Sequence, residues 1–406
     1  MAREYKQVCE LGEIITGKTP STANASLWNG NIPFITPTDI KGYDVFYQDV
    51  TERTVSSYGA LKQKKTILPP NAVCVSSIAT IGKMCLTSCA SITNQQINSI
   101  IVNKANDYRY VLYLLRYNLP YLQLVGGGSG SGTPIISKNK LAKFKFLVEE
   151  NLPIQKKIAS ILSTYDTLIE NNNRRIRLLE QMAENLYKEW FVRFRFPGHK
   201  KLENGLPKEW DIRIKDLTQL KSGYAFKSSW FVDEGEAIAK IKDIGETIMD
   251  TSSFSYVSKD NCIKAEKFLL TEGDLTIALT GATIGKISIV PKHKGNIYTN
   301  QRLGKFFLGK NPIEKLPFLY CLFKQKAMVS NIINLSNSSS AQPNISPEQI
   351  ESIKILGDKE VINSFNKACK HIFSMILSIH SQNTLLTRQR DLLLPRLMSG
   401  KLEVKP

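Results

Sequence analysis

Several short stretches carry residue types that could do chemistry. Gly281, Ala282, Thr283, Ile284, Gly285 and Lys286 approach a phosphate-binding loop, in which backbone N–H groups and a lysine cradle an anion. The spelling is one residue short of that motif. The similar run Ala79, Thr80, Ile81, Gly82, Lys83 has no leading glycine, so a tight turn between strands is the better reading of both. Asp39 and Lys41 would suit a nuclease's carboxylate–lysine pair, but no convincing metal-holding carboxylate stands upstream, and the related Asp243, Ile244, Gly245 lacks the lysine. Asn118, Leu119, Pro120 and Tyr121 approach the Asn-Pro-Pro-Tyr of adenine methyltransferases, yet leucine replaces the first proline and no cofactor-binding glycine cluster accompanies it. It reads as a helix end. His199, His293, His371 and His380 are scattered, and the seven cysteines contain no Cys-x-x-Cys, so neither a metal site nor a catalytic centre is expected. A basic protein of this kind acts through partners.

The elements behind these stretches are duplicated. Thr80 to Lys83 recurs as Thr283 to Lys286, Thr93, Asn94, Gln95 as Thr299, Asn300, Gln301, and Pro134, Ile136, Ser137 as Pro343, Ile345, Ser346. Three collinear matches mark an internal repeat. A chain of 406 residues exceeds one ordinary core, and the repeat sets its main boundary between Pro197 and Trp210. Tyr110 to Asn118 predicts a short helix, and Thr66 to Ile78 predicts strand, turn, strand around Pro69 and Pro70. Gly126 to Gly132 and Ser336 to Ser340 read as mobile connectors.

From Ile154 the period changes to steps of four and three. Ile158, Leu162, Tyr165, Ile169, Asn172, Ile176, Leu179, Ala183, Leu186 and Trp190 form the apolar seam of a long helix. Moving 207 residues along gives a second seam: Phe365, Cys369, Ile372, Ile376, Ile379, Asn383, Leu386, Arg390, Leu393 and Leu397. Each seam needs a cover, and the other helix is the economical one. Antiparallel pairing would set the globular parts at opposite ends of a spacer of roughly 50 Å; parallel pairing would set them side by side. Leu168, Leu178, Met182 and Tyr187 lie off the seam and are expected to leave apolar surface for a further partner.

The 54 Lys and Arg against 36 Asp and Glu give a net charge of +18, which favours a polyanion. Two similar basic lobes on a rigid spacer match duplex DNA with two half-sites, about 15 base pairs for 50 Å. Lys62, Lys64 and Lys65, and Lys221, Lys227, Lys240 and Lys242, are candidate phosphate contacts. Thr36, Thr38 and Gln96 in the first copy, with Thr280 and Arg302 in the second, are candidate base readers beside the shared Asn94, Gln95, Asn300 and Gln301. Shared residues, Lys83 and Lys286 among them, should build turns or touch the DNA backbone, because two different half-sites must be read by residues that differ. A charged start and the lack of a long apolar run lead us to expect a soluble cytoplasmic protein. The rival readings are a stand-alone nuclease or methyltransferase with a hidden site, and a coiled-coil adaptor.

Several ordered motifs carry a resemblance: Val8 to Ile14 and its loose repeat at Ile214 to Leu217, the two Ile-Gly-Lys turns, Leu152 to Ile158 with Gln155, Leu206 to Trp210, and above all Leu392 to Leu402. Together they resemble the specificity subunits of Type I restriction-modification enzymes over almost the whole chain. The resemblance implies an α+β fold: target-recognition domains at 1–150 and 197–357, and long antiparallel spacer helices at 151–196 and 358–406, related by a pseudo-two-fold internal duplication. It also implies that each domain reads half of a split asymmetric site in double-stranded DNA. The helices would dock two methyltransferase subunits and, with them, restriction subunits that translocate and cleave. On this view the chain is not an enzyme and binds no cofactor; S-adenosylmethionine, ATP and Mg2+ belong to the partners. Lys188 to Phe191 stand where a Leu-Met-Ser-Gly ending would close the first helix, and Leu356, Gly357, Asp358 where a Leu-Pro-x-x-Gln would open the second.

Overall fold

In the computed structural model the described residues are 3–40, 46–48, 50–126, 133–198, 210–336 and 343–405. Lys41, His199, Leu206 to Glu209, Gly127 to Gly132 and Asn337 to Ser340 therefore lie outside them. Two compact units emerge, Met1–Asn171 with Asn383–Pro406, and Asn172–Gln382.

In the first unit a five-stranded sheet runs in the order Gly12–Thr16, Ile97–Val102, Val73–Ser76, Met84–Thr87, Tyr47–Gln48. Val73 to Ser76 is buried throughout, as expected of β-branched residues in a central strand covered on both faces. Beside it, Trp28–Ile35 pairs antiparallel with Arg53–Val55 and parallel with Ile92–Thr93. The strand expected at Ile67 and Leu68 shrinks to a single bridge, Leu68 to Ser91, because Pro69 and Pro70 cannot extend a ladder. Tyr108–Tyr117 is helical, with the Asp107 carboxylate accepting from the N–H groups of Arg109 and Tyr110.

The second unit repeats this plan. Gln219–Ser222, Leu303–Phe307, Leu275–Ala278 and Ile287–Ile289 form one sheet, and Glu236–Ala239 pairs antiparallel with Ser255–Val257 and parallel with Ile297–Thr299. The Ile-Gly-Lys segments are turns of antiparallel hairpins in both units. Their backbones align differently from their letters. Ala79 takes the left-handed conformation (φ 60°) that Gly281 takes (φ 77°), so Ala79 matches Gly281, and the second turn holds one extra residue. The phosphate-loop spelling is thus an insertion in a hairpin.

Two long helices, Leu152–Tyr187 and Lys359–Met398, contribute to both units. Asn151 caps the first at the N–H of Ile154, and Asp358 caps the second at the N–H groups of Glu360 and Val361, which defines its start without the Leu-Pro-x-x-Gln opening. In the first unit Ile158 and Leu162 share a core with Leu397 and Met398 while Asp166 meets Arg390, so the two helix segments run antiparallel there. The motif Leu392 to Leu402 closes this end: Arg3 donates to the carbonyls of Leu397 and Met398, the last of the helix. In the second unit Trp190 meets Phe365, and Ile176 joins the same core as Ile376 and Ile379, the same antiparallel sense. Of the pairing residues, Ile158, Leu162, Ile169, Ile176, Trp190, Phe365, Ile376 and Ile379 are buried, and Tyr165, Leu179, Leu186, Ile372, Leu386 and Leu393 are half-buried. Asn172, Asn383 and Arg390 are buried too, so the seam continues through its polar positions.

The first helix ends in a π turn, Lys188–Val192, whose Trp190 and Phe191 pack among Phe318, Phe365 and Trp210. Tyr187, expected to offer free apolar surface, is buried in this aromatic core. Leu168, Leu178 and Met182 do remain exposed.

Candidate nucleic-acid interface

Each unit brings two turns side by side at the ends of neighbouring parallel strands. In the first, Ile35 lies opposite Thr93; in the second, Ala239 lies opposite Thr299. The chain leaves each pair through Thr36 to Asp39 and Asn94 to Gln96, or through Lys240 to Asp243 and Asn300 to Arg302. Asp39 accepts the N–H of Thr36 at 2.8 Å, and Asp243 that of Lys240 at 2.8 Å. The Asp39 carboxylate is therefore a turn cap.

The second turn is built with equal care. Asn94 accepts the N–H of Gln96 at 3.1 Å, and Asn300 that of Arg302 at 3.0 Å. The Asn94 N–H donates to the Ile35 carbonyl and that of Asn300 to the Ala239 carbonyl, fastening one turn to the other. Gly17 and Gly223 close against this frame. A Cβ on Gly17 would sit 2.2 Å from the Asn94 carbonyl oxygen, and one on Gly223 2.2 Å from that of Thr299, so only glycine fits. Neither glycine is marked by the three sequence matches, although Gly17 and Gly223 stand the same distance apart as Asn94 and Asn300.

In the second unit these turns line an open cleft of about 370 Å³ with Lys240, Lys242, Asn300, Gln301, Arg302 and Phe231. No carboxylate is among its lining residues. The Lys240 ammonium donates to Ser255 Oγ at 2.9 Å and lies 3.8 Å from the Phe231 ring centre. Burial, and then neighbouring Lys242, holds it below the usual lysine range. Lys242 is bonded to Ser253. Three cations, of which Lys242 also lies 3.9 Å from the Asp243 carboxylate, make a place for an anion.

A family model described as Type I restriction modification DNA specificity domain matches residues 3–181 and 207–356, most of the chain in two copies. The chain belongs to this family. This specificity protein is similar to the Type I restriction enzyme MjaIX specificity subunit of Methanocaldococcus jannaschii, with 26% identity over 99% of this chain and 94% of the relative. It is also similar to the MjaVIII specificity subunit of the same organism, with 27% identity over 80% of this chain and 76% of the relative. Among solved structures, the S subunit of a Type I restriction-modification system from M. genitalium shares its fold, with 17% identity, a TM-score of 0.55, and coverage of 98% and 96% of the two chains. DNA recognition is the work of a specificity subunit, and its interface can be sought on this frame.

The structure gathers Thr36, Thr38 and Gln96 on the first frame of the specificity subunit and Lys240, Lys242 and Arg302 on the second. Lys227 flanks the second cleft, with its ammonium 5.4 Å from the Trp230 ring centre. Lys62, Lys64 and Lys65 are exposed on a separate helical segment, Ser57 to Thr66. Lys221 is exposed on the strand Gln219–Ser222 opposite Lys305. Lys83 points inward and donates to the Pro37 carbonyl at 3.0 Å, so it braces the Thr36 turn; Lys286 is exposed. Thr280 begins the second hairpin turn, and its Oγ1 is buried without a partner among the described residues. No cluster of His, Cys, Asp or Glu able to hold a metal, and no helix long and apolar enough to cross a membrane, is found among the described residues.

Proposed function

We propose that each unit of this specificity subunit reads one half of a split, asymmetric site in double-stranded DNA, and that the chain recruits methyltransferase and restriction subunits to do the chemistry. One observation carries the reading: the same two-turn frame occurs twice and presents different side chains each time. A homodimer presents identical readers and suits a palindrome. A duplicated chain whose readers have diverged suits two unlike half-sites. The partners would supply S-adenosylmethionine, ATP and Mg2+, and this chain would bind none of them. In the second unit exposed Leu178 and Met182, one helical turn apart, are apolar surface that a docked methyltransferase subunit would cover, and in the first unit exposed Leu168 is a separate candidate.

The test uses the chain with its modification subunit on duplexes carrying two half-sites. Tight binding should depend on both half-sites and on the spacer between them, and exchanging residues 8–148 for those of another member should change one half-site only. Equal affinity for every duplex across a range of salt would overturn the proposal. So would methyl transfer from S-adenosylmethionine by the chain alone.

A further inference from the structure

Three pairs of positions stand at equivalent places on the two frames and differ in residue: Thr36 and Lys240, Thr38 and Lys242, Gln96 and Arg302. Equivalence rests on hydrogen bonds. Asp39 and Asp243 cap the first turn, and Asn94 and Asn300 the second. The carbonyl of Gln96 accepts from the Ser77 N–H at 2.8 Å, and that of Arg302 from the Leu279 N–H at 3.0 Å. With both backbone polar groups tied in each case, position 96 and position 302 present their side chains from a fixed backbone, as a reader of base edges requires.

We infer that Arg302 reads a guanine in the second unit's half-site and that Gln96, at the same place on the first frame, reads an adenine. This rests on the proposal that each unit reads one half-site. The chemistry follows from the donors and acceptors. Arg offers two parallel N–H groups that match guanine O6 and N7, whereas Gln offers one acceptor and one donor, matching adenine N6 and N7. The Gln96 amide is already oriented. Because Asn94 Oδ1 accepts a backbone N–H, which can only donate, the Asn94 amide nitrogen is the other atom, and it donates to Gln96 Oε1 at 3.0 Å. Gln96 Oε1 keeps a second lone pair for an adenine N6–H, and Nε2 keeps its protons for N7.

The companions agree with this division. Arg302 is exposed beside two lysines whose ammonium groups are held by Ser255 and by Ser253. Such anchored point charges position phosphates. On the first frame Thr36 and Thr38 are neutral and hydrogen-bond each other at 2.7 Å. At these three positions the second unit therefore presents three cations where the first presents three neutral side chains. Shared Gln95 and Gln301 carry no discrimination between half-sites. In the first unit Gln95 is engaged internally, accepting from Thr19 at 2.7 Å.

The experiment selects duplexes from a library with two randomised half-sites and a varied spacer, using the full chain assembled with its modification subunit. Wild type should show a guanine at one position of one half-site and an adenine at one position of the other. Arg302→Gln should lose the guanine preference at that position alone, by roughly 5- to 150-fold, and shift it toward adenine. Gln96→Arg should do the reverse in the other half-site, and Arg302→Lys, which keeps the charge but not the fork, should weaken the guanine preference without creating one for adenine. Loss spread equally over all bases in Arg302→Gln would make Arg302 a phosphate contact and overturn the inference while half-site reading stands. A wild type that selects no bipartite site would instead bring down the reading beneath it.

Discussion

The two units solve one problem in opposite ways. Tyr113 and Tyr320 stand 207 residues apart on equivalent helices, and each buried hydroxyl must find an acceptor. In the first unit Tyr113 donates to Asp166, which also accepts from Arg116 at 3.1 Å and from Arg390 at 2.6 Å. In the second unit the same displacement carries Asp166 to Phe373, Arg116 to Phe323 and Arg390 to Ala183, all buried. Tyr320 packs edge-on against Phe373, with ring centres 5.2 Å apart, and sends its hydroxyl to Glu180 instead. Burial and the neighbouring carboxylate push both phenols far above their usual range, so both stay protonated donors. The first unit fastens its helix segments with a buried ion network, the second with rings. The frame is what duplication kept, and the way each core is locked was free to drift.

If that contrast is real, removing one carboxylate should hurt the first unit badly. Asp166→Ala takes the shared carboxylate from buried Arg116 and Arg390, leaving Arg390 the exposed Asp391 at 2.9 Å, at a cost of about 3–5 kcal/mol. Hydrogen exchange should show lost protection at first-unit amides, around residues 108–117 and 385–398, with second-unit amides unchanged. A loss below about 1 kcal/mol would mean that the network is solvated and the contrast empty.

The turn frames are where the two units should respond alike. Gly17→Ala and Gly223→Ala each force a methyl group against a carbonyl oxygen, which should cost about 1–3 kcal/mol in either unit. Each change should also weaken selection at its own half-site in duplex-binding assays and leave the other half-site alone. Unequal penalties, or a loss at both half-sites, would show that the two frames are not equivalent.

Which of these features could be read beforehand follows from their range along the chain. The helix seams are periodic over many turns, so Ile158, Ile176, Phe365 and Ile376 were identifiable from spacing alone, and the duplicated segments marked the hairpin turns. The ion network was hidden. Asp166 and Arg390 lie 224 residues apart, and Arg390 looked like a flaw in an apolar seam rather than half of a bond. Lys83 is expected to build a turn or touch the DNA backbone, and composition cannot choose between these because it does not show that the Pro37 carbonyl is within reach. The backbone match of Ala79 to Gly281 was masked by letters, since the repeated Ala-Thr-Ile-Gly-Lys aligns with itself and conceals a one-residue insertion. Of the interface, residue types and divergent positions were visible. The parallel pairing that brings together the turns after Ile35 and Thr93, and after Ala239 and Thr299, joins strands of two to eight residues and leaves no periodic trace.

The smallest expected effect tests the contrast most stringently. The second unit's solution can be moved into the first by four changes: Arg116→Phe, Asp166→Phe, Arg390→Ala, and Thr387→Glu, the last supplying at the position equivalent to Glu180 an acceptor for Tyr113. Taken singly, each change that strips a charge leaves the rest of the buried network with its charges out of balance. Made together they remove the set and restore the hydroxyl's partner, and replacing a whole buried ion cluster by apolar groups of suitable volume is commonly neutral or stabilising. The fourfold variant should therefore unfold within about 1 kcal/mol of wild type in chemical denaturation, far from the sum of its parts, because residues of one network do not act additively. A fourfold variant as unstable as Asp166→Ala would show that the first core cannot take rings where the second does. The two units would then be alike in their turns and sheets but not in how their helices are held.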